Sequence, residues 1–228
     1  MVFLFDIDGT LIRTGGAGIA ALERAVLDLF DTPGAMAGIN AAGQTDPLLV
    51  EQIFLGKLGR APTADDAAAL IERYLTHLPA LLGKTRYQIL PGVTAALDLL
   101  EARAAVIGLA TGNVERGAEI KLSHGDLWRR FRFGGYGSDA AERAKVVERA
   151  IERAEAHCGR RLDRAREIVV IGDTPKDVAA AHACGVPAIG VATGPSGVTT
   201  AALAASGADW VMETLEELPD WIERQPSW

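Results

Sequence analysis

The sequence predicts an α/β fold in which a parallel β-sheet is interrupted, after its first strand, by an all-helical insert. Short runs of continuous apolar residues alternate with helical patterns along most of the 228 residues, as in parallel strands that are buried on both faces. Residues 14–91 show helical periodicity and no convincing strand. We therefore predict a Rossmann-like core formed by residues 1–13 and 92–228, and a helical cap formed by residues 14–91.

Five apolar runs are candidate strands of the core sheet, at residues 2–5, 104–110, 168–172, 187–192 and 209–212. Helical patterns precede the second and third runs, over residues 94–103 and 142–157. Another helical pattern follows the third run, and Gly185 is a candidate for the left-handed position after its end. Strands and helices that alternate in this way favour a parallel sheet.

The predicted cap contains two amphipathic helical patterns. Their apolar stripes are Ile19, Leu22, Val26, Leu29 and Phe30, and Leu70, Ile71, Tyr74, Leu75 and Leu78. Thr63 and Asp66 have the spacing of a capping pair at the start of the second helix. Glycines mark the entry to the cap, and we interpret Gly15 and Gly16 as a hinge.

Composition narrows the classes of partner. The formal net charge is −7, with 49% apolar and 23% charged residues, which is typical of a soluble globular protein and disfavours nucleic acid as a partner. No apolar run reaches the ~20 residues that a membrane-spanning helix needs. Cys158 and Cys184 are far apart and lack a metal-binding spacing, which favours reduced thiols and a cytoplasmic location.

Polar residues follow three of the predicted strands at the point where each strand ends. They are Asp6 and Asp8, then Thr111, Gly112 and Asn113, then Asp173 and Asp177. The carboxyl ends of parallel strands meet at one edge of a sheet, where α/β proteins bind ligands. Clustered carboxylates repel one another, and burial increases the cost, so we expect a cation among them. Hard oxygen ligands suit Mg²⁺, which commonly meets a phosphate in such sites.

Three motifs carry a resemblance to a known family. Residues 6–10 read Asp-Ile-Asp-Gly-Thr, residues 110–113 read Ala-Thr-Gly-Asn, and residues 172–177 read Gly-Asp-Thr-Pro-Lys-Asp. Their order, each after a predicted strand, resembles the haloacid dehalogenase superfamily in its phosphoglycolate phosphatase-like branch with a helical cap. The resemblance covers nearly the whole chain. It implies a Mg²⁺-dependent phosphatase that hydrolyses a small phosphorylated metabolite through an aspartyl-phosphate intermediate.

The resemblance also implies roles for individual residues. Asp6 would be the nucleophile that attacks phosphorus. Asp8 would be the general acid for the leaving alcohol and then the general base for the water that cleaves the intermediate. Thr111 would bond the phosphoryl oxygens, and its neighbours Gly112 and Asn113 would complete that binding loop.

A metal site and a specificity loop follow from the same resemblance. The implied Mg²⁺ ligands are Asp6, the backbone carbonyl of Asp8, Asp173 and, in support, Asp177. In the cap, residues 43–47 read Gly-Gln-Thr-Asp-Pro and form a candidate specificity loop, with Thr45 as its substrate-binding residue.

The third motif of the family is a Lys or Arg at the start of the helix before the last metal-binding strand. Arg143 and Lys145 are the two candidates, and at this spacing they face different sides of a helix. Arg143 is in phase with Val147 and Ala150 of the apolar stripe, whereas Lys145 shares a face with Glu148. The helical phase therefore favours Arg143 as the cation that binds the phosphoryl group, with Lys145 as the alternative.

Other functions are weighed on the same residues. Residues 16–21 match the GxGxxA pattern of dinucleotide-binding loops, but they lie beyond the first strand and lead into helix, which favours a hinge.

Asp8 disfavours a dehalogenase or a phosphonatase, because both lack the second aspartate of the first motif. A phosphomutase keeps both aspartates and stays open, whereas a non-catalytic binding module would be expected to have lost Asp6 or Asp173. Phosphoglycolate and sugar phosphates are both candidate substrates, and the oligomeric state is open.

Overall fold

A computed structural model describes residues 1–194 and 197–225. Its strands are β1 (Val2–Phe5), β2 (Ile12–Arg13), β3 (Gln88–Ile89), β4 (Val106–Ala110), β5 (Gly134–Gly135), β6 (Ile168–Gly172), β7 (Ala188–Val191) and β8 (Trp210–Met212). Six of them form one sheet in the order β5-β4-β1-β6-β7-β8, and every neighbouring pair in it is parallel. The predicted α/β fold with a parallel sheet is confirmed, and β1 lies in the interior of that sheet.

The helices are α1 (Ala17–Phe30), α2 (Asp46–Ile53), α3 (Ala64–Leu82), α4 (Val93–Ala102), α5 (Glu115–Ser123), α6 (Arg143–Cys158), α7 (Arg164–Glu167), α8 (Pro175–Ala183), α9 (Thr200–Ala205) and α10 (Leu218–Glu223). Shorter helical turns lie at Phe54–Leu58, Trp128–Arg130 and Leu215–Glu217. None of the helices within residues 1–194 and 197–225 combines the length and hydropathy that crossing a membrane requires.

The two faces of the sheet are covered by separate apolar clusters. Phe3 and Phe5 of β1 pack on one face with residues of α4 and α5. Val2 and Leu4 pack on the other face with residues of α6 and α8. Because successive side chains of a strand point to opposite faces, a continuous apolar strand such as β1 needs both layers of helices.

Most predicted strands form at or near the predicted residues, and one strand of the sheet was not predicted. The run at 104–110 begins as a strand only at Val106, because Ala104 has a left-handed φ of 55° in the turn after α4. The unpredicted strand, β5, consists of two glycines and so gives no apolar signal. A Cβ at Gly135 would collide with the carbonyl of Val146, because α6 packs directly on this strand.

A second, small sheet was also not predicted. Strands β2 and β3 pair antiparallel, with Ile12 opposite Ile89 and Arg13 opposite Gln88. The prediction that residues 14–91 contain no strand is therefore wrong at β3, since a two-residue strand is too short to show an alternating pattern.

Helices α1, α2 and α3, which we call the cap helices, lie between β2 and β3 in the chain and share an apolar cluster of their own. The predicted capping pair is present: Asp66 N–H donates to Thr63 Oγ1, and Thr63 N–H donates to Asp66 Oδ2. One member of the predicted stripe of α1 does not pack inward, because Ile19 is 47% exposed. The boundaries of the cap as a separate domain, at residues 14 and 91, stay a prediction.

Candidate active site

Three strand ends meet at the carboxyl edge of the sheet, as the sequence predicts. Asp6 follows β1, and its N–H donates to the carbonyl of Ile171 in β6 at 2.9 Å. Thr111 follows β4, and its N–H donates to the carbonyl of Gly135 in β5 at 3.0 Å. Asp173 follows β6 directly. The ladder hydrogen bonds of a parallel sheet thus fix the polar residues of the motifs at one edge.

One half of the site, which we call the phosphoryl side, consists of Asp6, Arg143, Asp173 and Asp177. Nη2 of Arg143 lies 2.9 Å from Oδ1 of Asp6 and 2.5 Å from Oδ1 of Asp177. All four side chains are buried or nearly so. The guanidinium therefore joins the carboxylate at the end of β1 to the carboxylate in the first turn of α8.

Asp177 has contacts on both of its oxygens. Oδ2 accepts from the N–H of Thr174 at 3.0 Å and from the hydroxyl of Thr174 at 2.7 Å, which caps α8. Oδ1 contacts Arg143. Asp177 therefore orients Arg143 and the start of α8.

The three carboxylates of the phosphoryl side could hold a metal ion. One oxygen each of Asp6, Asp173 and Asp177 lies within 4.8 Å of the others. Burial, with Asp177 and Asp6 close by, raises the pKa of Asp173 to about 9. Burial also raises the pKa of Asp6 to about 6, against the opposing effect of Arg143. A buried set of hard oxygen donors with excess negative charge fits a divalent cation such as Mg²⁺.

Glycines leave room for Asp173. A Cβ at Gly9, which has a φ of 91°, or at Gly194 would collide with the Asp173 carboxylate. The hydroxyl of Thr10 lies 3.4 Å from Oδ1 of Asp173. The turn after β1 is therefore shaped around the carboxylate that follows β6.

The other half of the site, which we call the leaving-group side, consists of Asp8, Asn113 and Lys121. Nζ of Lys121 lies 2.6 Å from Oδ2 of Asp8 and 2.6 Å from Oδ1 of Asn113. Nδ2 of Asn113 donates to Oδ2 of Asp8 at 2.8 Å. Burial acts to lower the pKa of Lys121, but Asp8, Tyr74 and Asp46 outweigh it and raise that pKa overall. The ammonium is therefore charged.

Sequence reasoning missed Lys121. It lies on the buried face of α5, beside Gly117, Ala118 and Leu122, although it is a lysine. A lysine within the apolar stripe of a helix that directly follows the second motif is a signal that could have identified it.

The side-chain oxygen of Thr111 is hydrogen-bonded to Asn113. Its Oγ1 accepts from Nδ2 of Asn113 at 2.9 Å and from the N–H of Asn113 at 3.3 Å. Because the oxygen accepts both bonds, the hydroxyl hydrogen is free to be donated elsewhere. Only glycine fits at position 112, since a Cβ there would collide with the backbone carbonyl of Gln44.

The two candidate cations take different positions. Arg143 lies inside the phosphoryl side. Lys145 is 70% exposed at its side chain and pairs with Glu142 at 3.0 Å. The helical phase therefore placed these two residues correctly, while the role of Arg143 stays a prediction.

Thr45 differs from its predicted position. Its hydroxyl donates to the carbonyl of Ala141 at 2.7 Å and accepts from the N–H of Leu48, so it caps α2 and joins the cap to the core. It is fully buried and does not line the cavity, whereas Gln44 and Asp46 do. Gln44 and Asp46, on either side of Thr45, are therefore the residues at this point of the loop that line the cavity.

Asp46 makes a second connection between the cap helices and the core. Its N–H donates to the carbonyl of Gly112 at 2.8 Å, and its Oδ2 accepts from the N–H of Val114 at 2.8 Å. Burial raises the pKa of Asp46 to about 6, although Lys121 acts in the opposite direction.

A cavity of about 490 Å³ opens above both sides of the site. Its walls combine the two carboxylates of the first motif with cap residues, among them Ile19, Leu22 and Tyr74. Gly15 and Gly16 also line it, with φ values of 61° and 88°, a conformation that favours glycine. Their role as a hinge stays a prediction. The fold and this site define the class of the protein: an α/β protein with a buried, carboxylate-lined site at the carboxyl edge of its parallel sheet.

Comparisons with known proteins give the family. The model of the haloacid dehalogenase-like hydrolase family matches residues 1–185, and the chain belongs to that family. A phosphoglycolate phosphatase from Rhodospirillum rubrum is 31% identical over 96% of this chain and 89% of its own. A hydrolase from Pseudomonas syringae has a TM-score of 0.75 at 24% identity, covering 98% of both chains. CbbY from Rhodobacter sphaeroides, solved in complex with phosphate, has a TM-score of 0.72 at 17% identity, covering 95% of both chains.

Proposed function

We propose that this protein hydrolyses a small phosphate monoester, with Mg²⁺ bound, through an aspartyl-phosphate formed at Asp6. The enzyme is a phosphoric monoester hydrolase, in agreement with its family and with its relative from Rhodospirillum rubrum. The observation that carries the proposal is that two carboxylates only two residues apart in the chain have different partners. Asp6 contacts Arg143, whereas Asp8 contacts Lys121 and Asn113. Carboxylates in different surroundings can take different chemical roles.

In the first step, an oxygen of Asp6 attacks phosphorus and the bond from phosphorus to the leaving oxygen breaks. Arg143 lies beside Asp6, where its guanidinium can offset the charge of the phosphoryl oxygens in the transition state. The hydroxyl of Thr111 is free to donate to one of those oxygens. Asp8 gives its proton to the leaving alcohol.

In the second step, water attacks the phosphorus of the aspartyl-phosphate and the bond to Asp6 breaks. Asp8 takes the proton of that water, so that it is protonated again for the next turnover. Products are the alcohol and inorganic phosphate, and the enzyme returns to its starting state.

The buried carboxylates of the phosphoryl side support a Mg²⁺ site. Asp6, Asp173 and the backbone carbonyl of Asp8 would hold the ion, with Asp177 in support, since one of its oxygens lies within 4.8 Å of oxygens of Asp6 and Asp173. When bound, Mg²⁺ would offset the charge of the carboxylates and of the phosphoryl group.

The substrate class is supported by the relatives and by the cavity. Phosphoglycolate is a candidate because the relative from Rhodospirillum rubrum is a phosphoglycolate phosphatase. Sugar phosphates are a second candidate, since the cavity of about 490 Å³ has room for a larger leaving group.

The test is phosphate release from a panel of 2-phosphoglycolate, sugar phosphates and 4-nitrophenyl phosphate, with Mg²⁺ and with EDTA. We expect turnover with Mg²⁺, none with EDTA, and recovery when Mg²⁺ is returned. Full turnover in EDTA would contradict the metal site. A sugar phosphate that is isomerised without release of phosphate would identify a phosphomutase instead.

A further inference from the structure

The leaving-group side contains a buried lysine that no motif of the sequence accounts for. Lys121 is 5% exposed and projects from α5 toward the acid/base Asp8. Burial of an ammonium is costly unless its charge and its hydrogen bonds are satisfied, so its partners here are informative.

Lys121, Asp8 and Asn113 form a closed triangle in which each side chain contacts the other two. The three distances are 2.6 Å from Lys121 Nζ to Asp8 Oδ2, 2.6 Å from Lys121 Nζ to Asn113 Oδ1, and 2.8 Å from Asn113 Nδ2 to Asp8 Oδ2. Both donors converge on the same oxygen of Asp8. Within the described residues no hydrogen bond reaches the other oxygen, Oδ1.

The cap helices leave space for this ammonium. A Cβ at Gly18 of α1 would lie 3.5 Å from Nζ of Lys121 and 4.0 Å from the hydroxyl of Tyr74 in α3. Gly18 and Tyr74 therefore cover the triangle from the cap. Removal of solvent strengthens charge-assisted hydrogen bonds of this kind.

We propose that Lys121 is a positioning residue for Asp8, and this role rests on the phosphatase function proposed above. Lys121 and Asn113 hold Oδ2, so the carboxyl group of Asp8 has one orientation and Oδ1 is the atom that exchanges protons. The proton leaves Oδ1 for the leaving oxygen as its bond to phosphorus breaks. It is replaced from the water whose oxygen bonds to phosphorus as the bond to Asp6 breaks.

A positioning role predicts a loss in kcat with little change in KM. For Lys121→Met we expect kcat on 4-nitrophenyl phosphate to fall by roughly 10- to 100-fold, with KM changed less than about threefold. Lys121→Arg, which keeps a donor and the charge, should recover part of the loss. Lys145→Met is the matched control, because Lys145 is exposed and lies outside the site.

The decisive measurement is a double-mutant cycle with Asp8→Ala. If Lys121 acts through Asp8, then Lys121→Met should change the rate by less than about twofold once Asp8 is absent. The role would be overturned if the double variant lost activity by the product of the two single-variant losses. An unchanged kcat in Lys121→Met would also overturn it. Should Lys121→Met fail to fold, the same cycle with Lys121→Gln carries the test. A wild type without any turnover would contradict the phosphatase function and this role together, whereas an active wild type with multiplied losses would contradict only the role of Lys121.

Discussion

The phosphoryl side and the leaving-group side each bury one cation, yet they differ in how its charge is balanced. Arg143 contacts the carboxylates of Asp6 and Asp177, and the carboxylate of Asp173 lies beside these two. Lys121 is bonded to one carboxylate, that of Asp8, and to the neutral amide of Asn113. Nη2 of Arg143 contacts two carboxylates, whereas Nζ of Lys121 contacts one carboxylate and one amide oxygen, so the net charge around the two cations differs.

This difference indicates which side needs an added cation. Three carboxylates lie beside one guanidinium in a buried place. Burial, together with the nearby Asp177 and Asp6, raises the pKa of Asp173 there. The leaving-group side has a single carboxyl group, that of Asp8, beside Lys121. A divalent metal is therefore expected among the carboxylates of the phosphoryl side.

The largest expected effect separates the two carboxylates of the first motif. Asp6→Asn should abolish turnover, because the nucleophile is gone and no phosphoenzyme can form. Asp8→Ala should still be phosphorylated by 4-nitrophenyl phosphate, whose leaving group needs no proton, and the intermediate should accumulate because its water lacks a base. Mass spectrometry of the peptide that contains residue 6 measures the added phosphoryl group.

Equal labelling of both variants, or label at another residue, would show that the two roles are wrongly assigned. The comparison between the two sides would then no longer hold.

The second-largest expected effect distinguishes Arg143 from Lys145, the two candidate cations in the first turn of α6. Arg143→Ala should lower kcat by about 10²-fold or more if the guanidinium offsets the charge of the phosphoryl group. Arg143→Lys, which keeps the charge, should recover part of the loss, since a single nitrogen of Arg143 makes the contacts with both Asp6 and Asp177. Lys145→Ala, measured in the same steady-state assay, should retain wild-type kcat, and the opposite result would reverse the assignment.

The smallest effect is on stability and comes from the contact between the cap and the core. The folded pKa of Asp46 is about 6, above its ordinary 3.8, so the folded state binds the proton more tightly. The free energy of unfolding should therefore fall as pH rises from about 4 to about 6. Above pH 6 the whole loss, at most about 3 kcal/mol, is present. Asp46→Asn keeps an acceptor for Val114 and should raise Tm at pH 8 but not at pH 4.

Asp65→Asn is the matched control for that measurement, because Asp65 is an exposed aspartate in the first turn of α3. An equal shift of Tm at both pH values in Asp46→Asn would contradict burial as the cause.

The phosphoryl side could be predicted from the sequence because each of its residues has a fixed place relative to a strand or to a helix. Asp6 and Asp173 follow apolar strands directly, and the phase of α6 brings Arg143 inward. Lys121 could not be placed in this way. Its partners come from other strand ends, and only the packing of α5 brings them together.

Thr45 carries a helix-capping signal that the sequence analysis did not use. A threonine before Asp46 and Pro47 is typical of a helix start, since the hydroxyl caps the helix and proline fits its first turn. Its hydroxyl is bonded to the backbone of Ala141 and of Leu48. Strand β5 gave no signal at all, because glycine has no side chain whose apolar character could repeat.

The pairing of β2 with β3 has a consequence for how this architecture can vary. Arg13 and Gln88 are register partners, so the chain leaves the core and returns to it about 5 Å apart. The helices between these two points are joined to the core by a closed two-strand stem. A segment of different length or fold could be grafted onto this stem without moving β1, so recombination could exchange what covers the cavity while the carboxylates beneath it are inherited unchanged.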